Sequence, residues 1–318
     1  MFVEYDKFYI LLSFVTSYCF FGEVNDLIRW FPLNNNIIIN IFFDLIIYYR
    51  GDDLMILFSN DSSYYSMIAR LVLAEKNISY KMKKVDIHLK LEQFLPSYVQ
   101  IQPNMTVPTL LDNGAICQSS QEILFFVNKK NLTNDLYPPE AQQDIQKSLD
   151  LHYAFSIEDL TMGNALRKSP IARFALSRGL ARATRRCHQL MLSNPELKLA
   201  CEQKIVQEEE RRHSILSNAN NYQQVVQQAI NLCDLLEQQL STHEYTASDS
   251  YSLADVVWTV FLARLHMIGF EKLVYERKNL ALYWERVKAR KSFTQADIWT
   301  KMPQKVILRL MFGLLFYR

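Results

Sequence analysis

The sequence predicts an α/β domain followed by an all-helical one. Three observations carry this. Beyond an atypical first 52 residues, short apolar runs bounded by turn residues fall at about residues 54–118. Within "VPTLLDNGAICQSS", from Val107 to Ser120, two such runs flank Asp-Asn-Gly, a strong hairpin signal. From Pro138 onward strand signals vanish, and apolar residues recur at helical spacing.

The first domain reads in order. "LMILF" suits a buried strand, and "NDSS" after it is turn and N-cap chemistry. "YYSMIARLVLAEKN" sets Met67, Ile68, Leu71 and Val72 at helical spacing, with Asn77 as the stop. "ISYKMKKVDI" alternates as a strand does, "LKLEQFLPSYVQI" is a short helix cut by Pro96, and "QPN" is a turn. "TVPTLL" and "AICQ" are the hairpin strands. "SSQEILFFV" is a helix capped by Ser119 or Ser120. The order β-α-β-α-β-β-α is that of a thioredoxin-like module, in which the bond before Pro108 is cis; such X-Pro bonds serve tight local geometry.

The second domain begins with "PPEAQQDIQKSLDLHYAFSIEDLTMGNAL", read as one long helix. Ser193 or Asn194 caps the helix of "SNPELKLACEQKIVQEEERRHSIL", with Pro195 at its first position. Val225, Ile230, Leu232, Leu235, Leu236 and Leu240 form an apolar helical face. Ser252 and Asp255, three apart, make a capping box with Tyr251 as staple. "NLALYWERVKARKSF" is another amphipathic helix. The domains fall at about 53–130 and 138–300, with an insertion at about 164–222 and an apolar, basic segment at 301–318.

Residues 1–52 are different. They are rich in Phe, Ile, Tyr and Asn, and each apolar run is shorter than the roughly 20 residues of a spanning helix. "MFVEYDK" lacks the basic start of a signal peptide. The stretch reads as an added leader outside the fold, with a membrane-seeking leader as the alternative.

Composition narrows the chemistry. A net charge of +2 gives no nucleic-acid signature. Five cysteines, odd in number and without zinc or redox spacing, fit free thiols in a reducing compartment. Six histidines form no H-x-x-x-H pair, so no metal is expected.

Three landmarks coincide: Val107-Pro108 before a hairpin, Gln118-Ser119 opening a helix, and the Ser252–Asp255 box. Together they resemble the glutathione transferase superfamily over about residues 54–294. A narrower resemblance rests on "ARLVLAEKNISYK", the long segment between Gly163 and Tyr222, and "YWERVKARKSF" before a basic, apolar C-terminus. These look like the ganglioside-induced differentiation-associated protein 1 family, whose members sit on the mitochondrial outer membrane through a C-terminal tail and shape the mitochondrial network by fission. That resemblance implies a cytosol-facing protein of that membrane with weak or no conjugating activity. The alternative is a soluble, cytoplasmic transferase conjugating glutathione to small electrophiles.

The resemblance also implies a site. Ser63, with Ser62 as the alternative, stands where the superfamily has the hydroxyl that stabilises glutathione's thiolate, aided by helix-start N–H groups. Capping the helix would require the same serine. No cysteine lies in that turn, which disfavours a thiol mechanism. Val107, before Pro108, offers backbone groups to the cysteinyl unit, and Gln118 and Ser119 hold the γ-glutamyl end. Two departures predict weak turnover: Met105 replaces a usual glycine, altering or filling the loop that faces the thiol, and Glu122 replaces an apolar residue, expected either to pair with a base or to face solvent.

The run Arg167–Arg186 holds seven basic residues and no acid. A solvated face is one reading. A second is a surface for an anionic membrane, mitochondrial or other, or for an acidic protein partner, and nucleic acid is a distant third because no reading motif accompanies the run. "KVILRLMFGLLFYR" is too short to span a bilayer, and reads as a packed last helix or an interfacial one. A second copy of the chain, as in a homodimer, is a further expected partner.

Overall fold

The computed structural model describes residues 55–131, 134–214 and 219–316, so the expectation for the leader lies outside the described residues. Four strands form one sheet in the order β2-β1-β3-β4: β1 Ile56–Ser59, β2 Lys81–Lys84, β3 Thr109–Asp112 and β4 Ala115–Cys117. β1 pairs parallel to β2 and antiparallel to β3, and β3 pairs antiparallel to β4. The edge strand β2 is exposed throughout, and its lysines discourage further strand pairing. At the β3–β4 turn Asn113 and Gly114 take φ of 45° and 84°. That left-handed pair matches the right-handed twist of the strands it joins.

Helix α1 (Tyr64–Glu75) links β1 to β2, and Asn77 ends it in a left-handed conformation, φ 50°. The short α2 (Pro96–Ile101) precedes β3, and α3 (Ser120–Lys130) follows β4. The sheet register has one consequence for function. Ser59 ends β1, Lys84 ends β2, Thr109 opens β3 and Cys117 closes β4, all at the same end of the sheet. The loops after β1 and β2, before β3 and after β4 therefore converge.

The helical half comprises α4 (Gln142–Ala154), α5 (Ile157–Lys168), α6 (Pro170–Ser193), α7 (Lys198–Arg212), α8 (Ala219–Gln239), α9 (Leu253–Ile268), α10 (Lys272–Tyr275), α11 (Lys278–Lys288), α12 (Lys291–Gln295) and α13 (Gln304–Phe316). The single helix expected over 138–166 is instead two. Phe155 adopts extended backbone and packs edge-on against Phe261, and Ser156 caps a new helix by accepting from the Asp159 N–H. Pro195 opens a short 3-10 turn, Pro195–Leu197, and α7 starts at Lys198. Helix α9 is the buried axis. Apart from His266 and Met267, its residues are covered on every side.

The insertion is a hairpin of α6 and α7. Its ends meet: a Cβ on Gly163 would collide with the Tyr222 ring, so glycine is what lets α5 and α8 approach. The hairpin docks on the first domain through a second apolar cluster, in which Leu91, Phe94, Val99 and Met105 meet Ala183, Cys187, Leu190, Leu197 and Cys201. Met105 keeps the backbone that a glycine would favour, with φ 52°. That costs on the order of 1–3 kcal/mol. Burying its side chain to 2 % exposure against Cys187 returns about 1.5–3 kcal/mol, so the strain is offset. The departure expected to fill the thiol-facing loop is thus spent on seating the insertion.

Candidate functional site at the convergent strand ends

Ser63 is the N-cap of α1, and its Oγ accepts from the Ser66 N–H at 3.3 Å. No acidic residue stands in the first turn, so nothing there counters the positive end of the helix. Tyr64, buried, places its hydroxyl 2.7 Å from His152 Nε2 and fixes the helix start to α4. Tyr65 remains half-buried.

Ser62 is differently engaged. Its hydroxyl lies 2.7 Å from Asn60 Oδ1 and 2.9 Å from His88 Nε2. The Asn60 amide nitrogen donates to the Val85 carbonyl, which turns its oxygen toward Ser62. The single Ser62 proton then goes to Asn60, and His88 donates to Ser62 Oγ. Ser63 is therefore the better placed of the two serines to meet a ligand, since a capping hydroxyl still has its own proton to donate.

Two buried arginines frame this loop. Arg70 of α1 is fully engaged: Nε donates to the Ala296 carbonyl at 2.7 Å, Nη1 to Ser59 Oγ and the Asn60 carbonyl, and Nη2 to the carbonyls of Asp61 and Asp297. It ties the end of β1 to the end of α12. Arg264 of α9 donates from Nη2 to the Ser62 carbonyl at 3.0 Å and lies 5.5 Å from the centre of the Tyr64 ring.

Val107–Pro108 is cis, as expected. The preceding loop is pinned by Tyr98, whose hydroxyl donates to the Thr106 carbonyl at 2.6 Å. Among the described residues no backbone hydrogen bond takes the N–H or C=O of Val107. Its side chain is buried with Phe58, Val85 and Tyr98. This edge is free to pair with an extended ligand backbone.

Gln118 and Ser119 reach the same end but are already occupied. Gln118 Nε2 donates to the Ile101 carbonyl at 2.9 Å, and Gln102 Nε2 donates to the Gln118 carbonyl at 2.7 Å. Ser119, not Ser120, is the cap of α3 and accepts from the Glu122 N–H at 3.1 Å. The Glu122 carboxylate bends back to accept the Gln118 N–H at 2.6 Å. Of the two expectations for Glu122, the solvent-facing one holds, since the residue is exposed and none of the ion pairs among the described residues includes it. What the sequence did not show is that its carboxylate also completes the cap of its own helix.

The register thus gathers Ser62, Ser63, Val107, Pro108, Gln118 and Ser119 at one end of the sheet. Sequence reasoning missed His88, Arg70 and Arg264. For the arginines a signal existed: each is the lone charge inside an apolar helical run, "MIARLVL" and "VFLARLHMI". Two surface hollows, one along α4 from Tyr137 to Ala154 and one from Lys168 to Lys301, include none of the site residues.

The basic run lies mainly on α6. Arg167 stacks on Tyr222 at 4.6 Å, Lys168 Nζ donates to the Ile268 carbonyl at 2.8 Å, and Arg182 Nη2 donates to the Leu89 carbonyl at 2.6 Å. Part of the run therefore holds the insertion in place. Helix α13 packs back against the loop after β2, where Arg309 pairs with Asp86 at 2.8 Å. Among the described residues no helix is long and apolar enough to cross a membrane.

Comparison with known proteins agrees with this fold. Residues 57–131 match the family "Glutathione S-transferase, N-terminal domain", and residues 194–291 match "Glutathione S-transferase, C-terminal domain". The tetrachloro-p-hydroquinone reductive dehalogenase of Sphingobium chlorophenolicum is 28% identical over 76% of this chain and 95% of its own length. Glutathione S-transferase TCHQD of Arabidopsis thaliana is 24% identical over 75% of this chain and 88% of its own. Among solved structures, a glutathione S-transferase III in apo form superposes with a TM-score of 0.55 at 18% identity, covering 79% of this chain and 98% of that one.

Proposed function

This chain carries both domains of the glutathione S-transferase superfamily, and on that premise we propose that it binds glutathione and presents the thiolate to a small electrophile beside Ser63. One observation carries the reading: α1 begins on a serine cap with no acid in its first turn, at the same sheet end as the cis-Pro loop. The Ser63 hydroxyl donates to the sulfur anion, and the free N–H groups of the helix start lower its energy further. Val107 pairs with the cysteinyl backbone, and the γ-glutamyl end is held by the groups that Gln118 and Ser119 keep beyond their internal bonds, the second Gln118 Nε2 proton and the Ser119 hydroxyl proton. Glu122 crowds that end with a negative charge, so affinity and turnover are low. The experiment is a conjugation assay with Ser63→Ala beside retention on glutathione-agarose. At least a tenfold loss of turnover with retention preserved is expected. Unchanged turnover removes Ser63 from the chemistry, and no retention of the unaltered protein removes glutathione.

A second reading is favoured by the outer face of α6 and keeps the narrower affiliation, with the ganglioside-induced differentiation-associated protein 1 family of the mitochondrial outer membrane. Ile171 and Phe174 are exposed beside Arg173, and Arg185 and Arg186 are exposed further along the helix. Apolar side chains among cations suit an anionic bilayer surface. Co-sedimentation with cardiolipin-containing vesicles, lost in a quadruple Arg-to-Gln variant of α6, supports it. Sedimentation that the variant does not change defeats it.

A further inference from the structure

The charge that Arg264 brings to the start of α1 has no counter-ion among the described residues. Arg264 is 6 % exposed, none of the chain's ion pairs within that set includes it, and its Nε is buried without a hydrogen-bond partner. The acid nearest in sequence to the serines, Asp61, is committed to Lys84 at 2.7 Å. The groups that act electrostatically on the guanidinium are the phenols of Tyr64 and Tyr65. Burial pushes both phenols up, so they stay neutral and supply no opposite charge; Tyr64 offers only its ring face, 5.5 Å away. Burial lowers Arg264 itself only to about 10, which leaves it a cation at neutral pH.

Arg70, nearly two turns into α1, shows that the fold can finish a buried arginine when its role is structural. Four carbonyls and a hydroxyl take all the donors that Arg70 points into the loop. Arg264 is given one carbonyl, that of Ser62, immediately before the capping serine. A buried cation without a paired acid is costly unless something else supplies the negative charge. Its placement beside an acid-free helix start adds a second attraction for an anion at the same spot.

We propose that Arg264 is the counter-ion of the ligand's sulfur, a further binding residue that holds the thiol as its anion at the start of α1. The proposal rests on the glutathione reading above and deepens it. The S–H bond breaks heterolytically, the electron pair stays on sulfur, and the proton passes to water. Ser63 then donates one directed hydrogen bond, while Arg264 supplies the charge.

Two glutathione derivatives separate the charge from the rest of the ligand. Glutathione sulfonate carries a permanent anion at the sulfur, and S-methylglutathione carries none. Calorimetric titration of the full-length protein is expected to show the sulfonate binding on the order of tenfold tighter. Arg264→Met should abolish that preference and leave S-methylglutathione affinity within about threefold. Arg264→Lys should keep part of it, because an ammonium retains charge without the planar fork. The preference is read as a ratio within each protein, so a partly unfolded variant does not distort it. A wild-type protein that binds both derivatives equally overturns the proposal, and so does an Arg264→Met protein that still prefers the sulfonate. If the unaltered protein binds neither derivative, the glutathione reading itself has failed, and that outcome is distinct from the other two.

Discussion

Helices α9 and α1 both begin on a serine cap, and the two starts are finished in opposite ways. At α9, Ser252 is buried and Asp255 answers it. The Asp255 carboxylate accepts from the Ser252 N–H and hydroxyl, from the Thr246 N–H and hydroxyl, and from the Tyr283 hydroxyl, all within 3.0 Å. The helix dipole meets an internal anion there, and nothing is left to receive a ligand. At α1, Ser63 is half-buried, the first turn lacks an acid, and the buried cation of Arg264 donates to the carbonyl just before the cap. The same cap residue is structural where the chain supplies the anion and receptive where it does not.

The largest effect that tests this contrast is the loss of Asp255. Asp255→Ala strands five buried donors, and about 3–5 kcal/mol of stability should disappear. Ser63→Ala removes one half-exposed cap and should cost about 1 kcal/mol. Denaturant midpoints of the two variants check the ordering. Equal losses would mean that α1's cap is as structural as α9's.

The next effect is one of pH. His152 anchors Tyr64 beneath the α1 start, and burial pushes its imidazole down to about 3. The unfolded chain therefore takes up a proton below the ordinary value near 6.5 that the folded chain refuses until about 3. Stability falls as pH drops through that window, by about 2 kcal/mol at pH 5 relative to pH 7. Urea denaturation at both pH values checks this, with His152→Gln as reference. The reference should lose that share of the pH dependence while keeping the carboxylate contributions.

Local signals made most of this architecture legible. Asn-Gly between two apolar runs set the hairpin, Ser-x-x-Asp set α9, and Val-Pro marked the loop that is cis. What stayed hidden depends on tertiary neighbours. The break at Phe155 is driven by an aromatic contact with α9, which no spacing announces. Met105 looked like damage to the site because its partners, on α6 and α7, lie about 80 to 100 residues away along the chain. Arg264 sits in an apolar run where a helical pattern assigns it to the core, and only the fold brings it to Ser62. The site serines themselves were readable, but their division of labour was not, because it follows from His88 and Asn60.

Helix α3 lies between the two extremes and supplies the smallest effect. Ser119 caps it, and Glu122 completes the cap from an exposed position. If α3 is to receive the γ-glutamyl carboxylate, Glu122 opposes it with like charge across a solvent-screened gap, which is worth a few tenths of a kcal/mol to about 1. Glu122→Gln keeps an oxygen to accept the Gln118 N–H while removing the charge. Glutathione should then bind about two- to fivefold tighter, and the gain should shrink as salt is raised, because screening already weakens the repulsion. Calorimetric titration at low and high ionic strength reads both. A fall in affinity would place α3 with α9, as a helix whose start is closed from within, and would leave α1 as the anion-receiving end of the sheet.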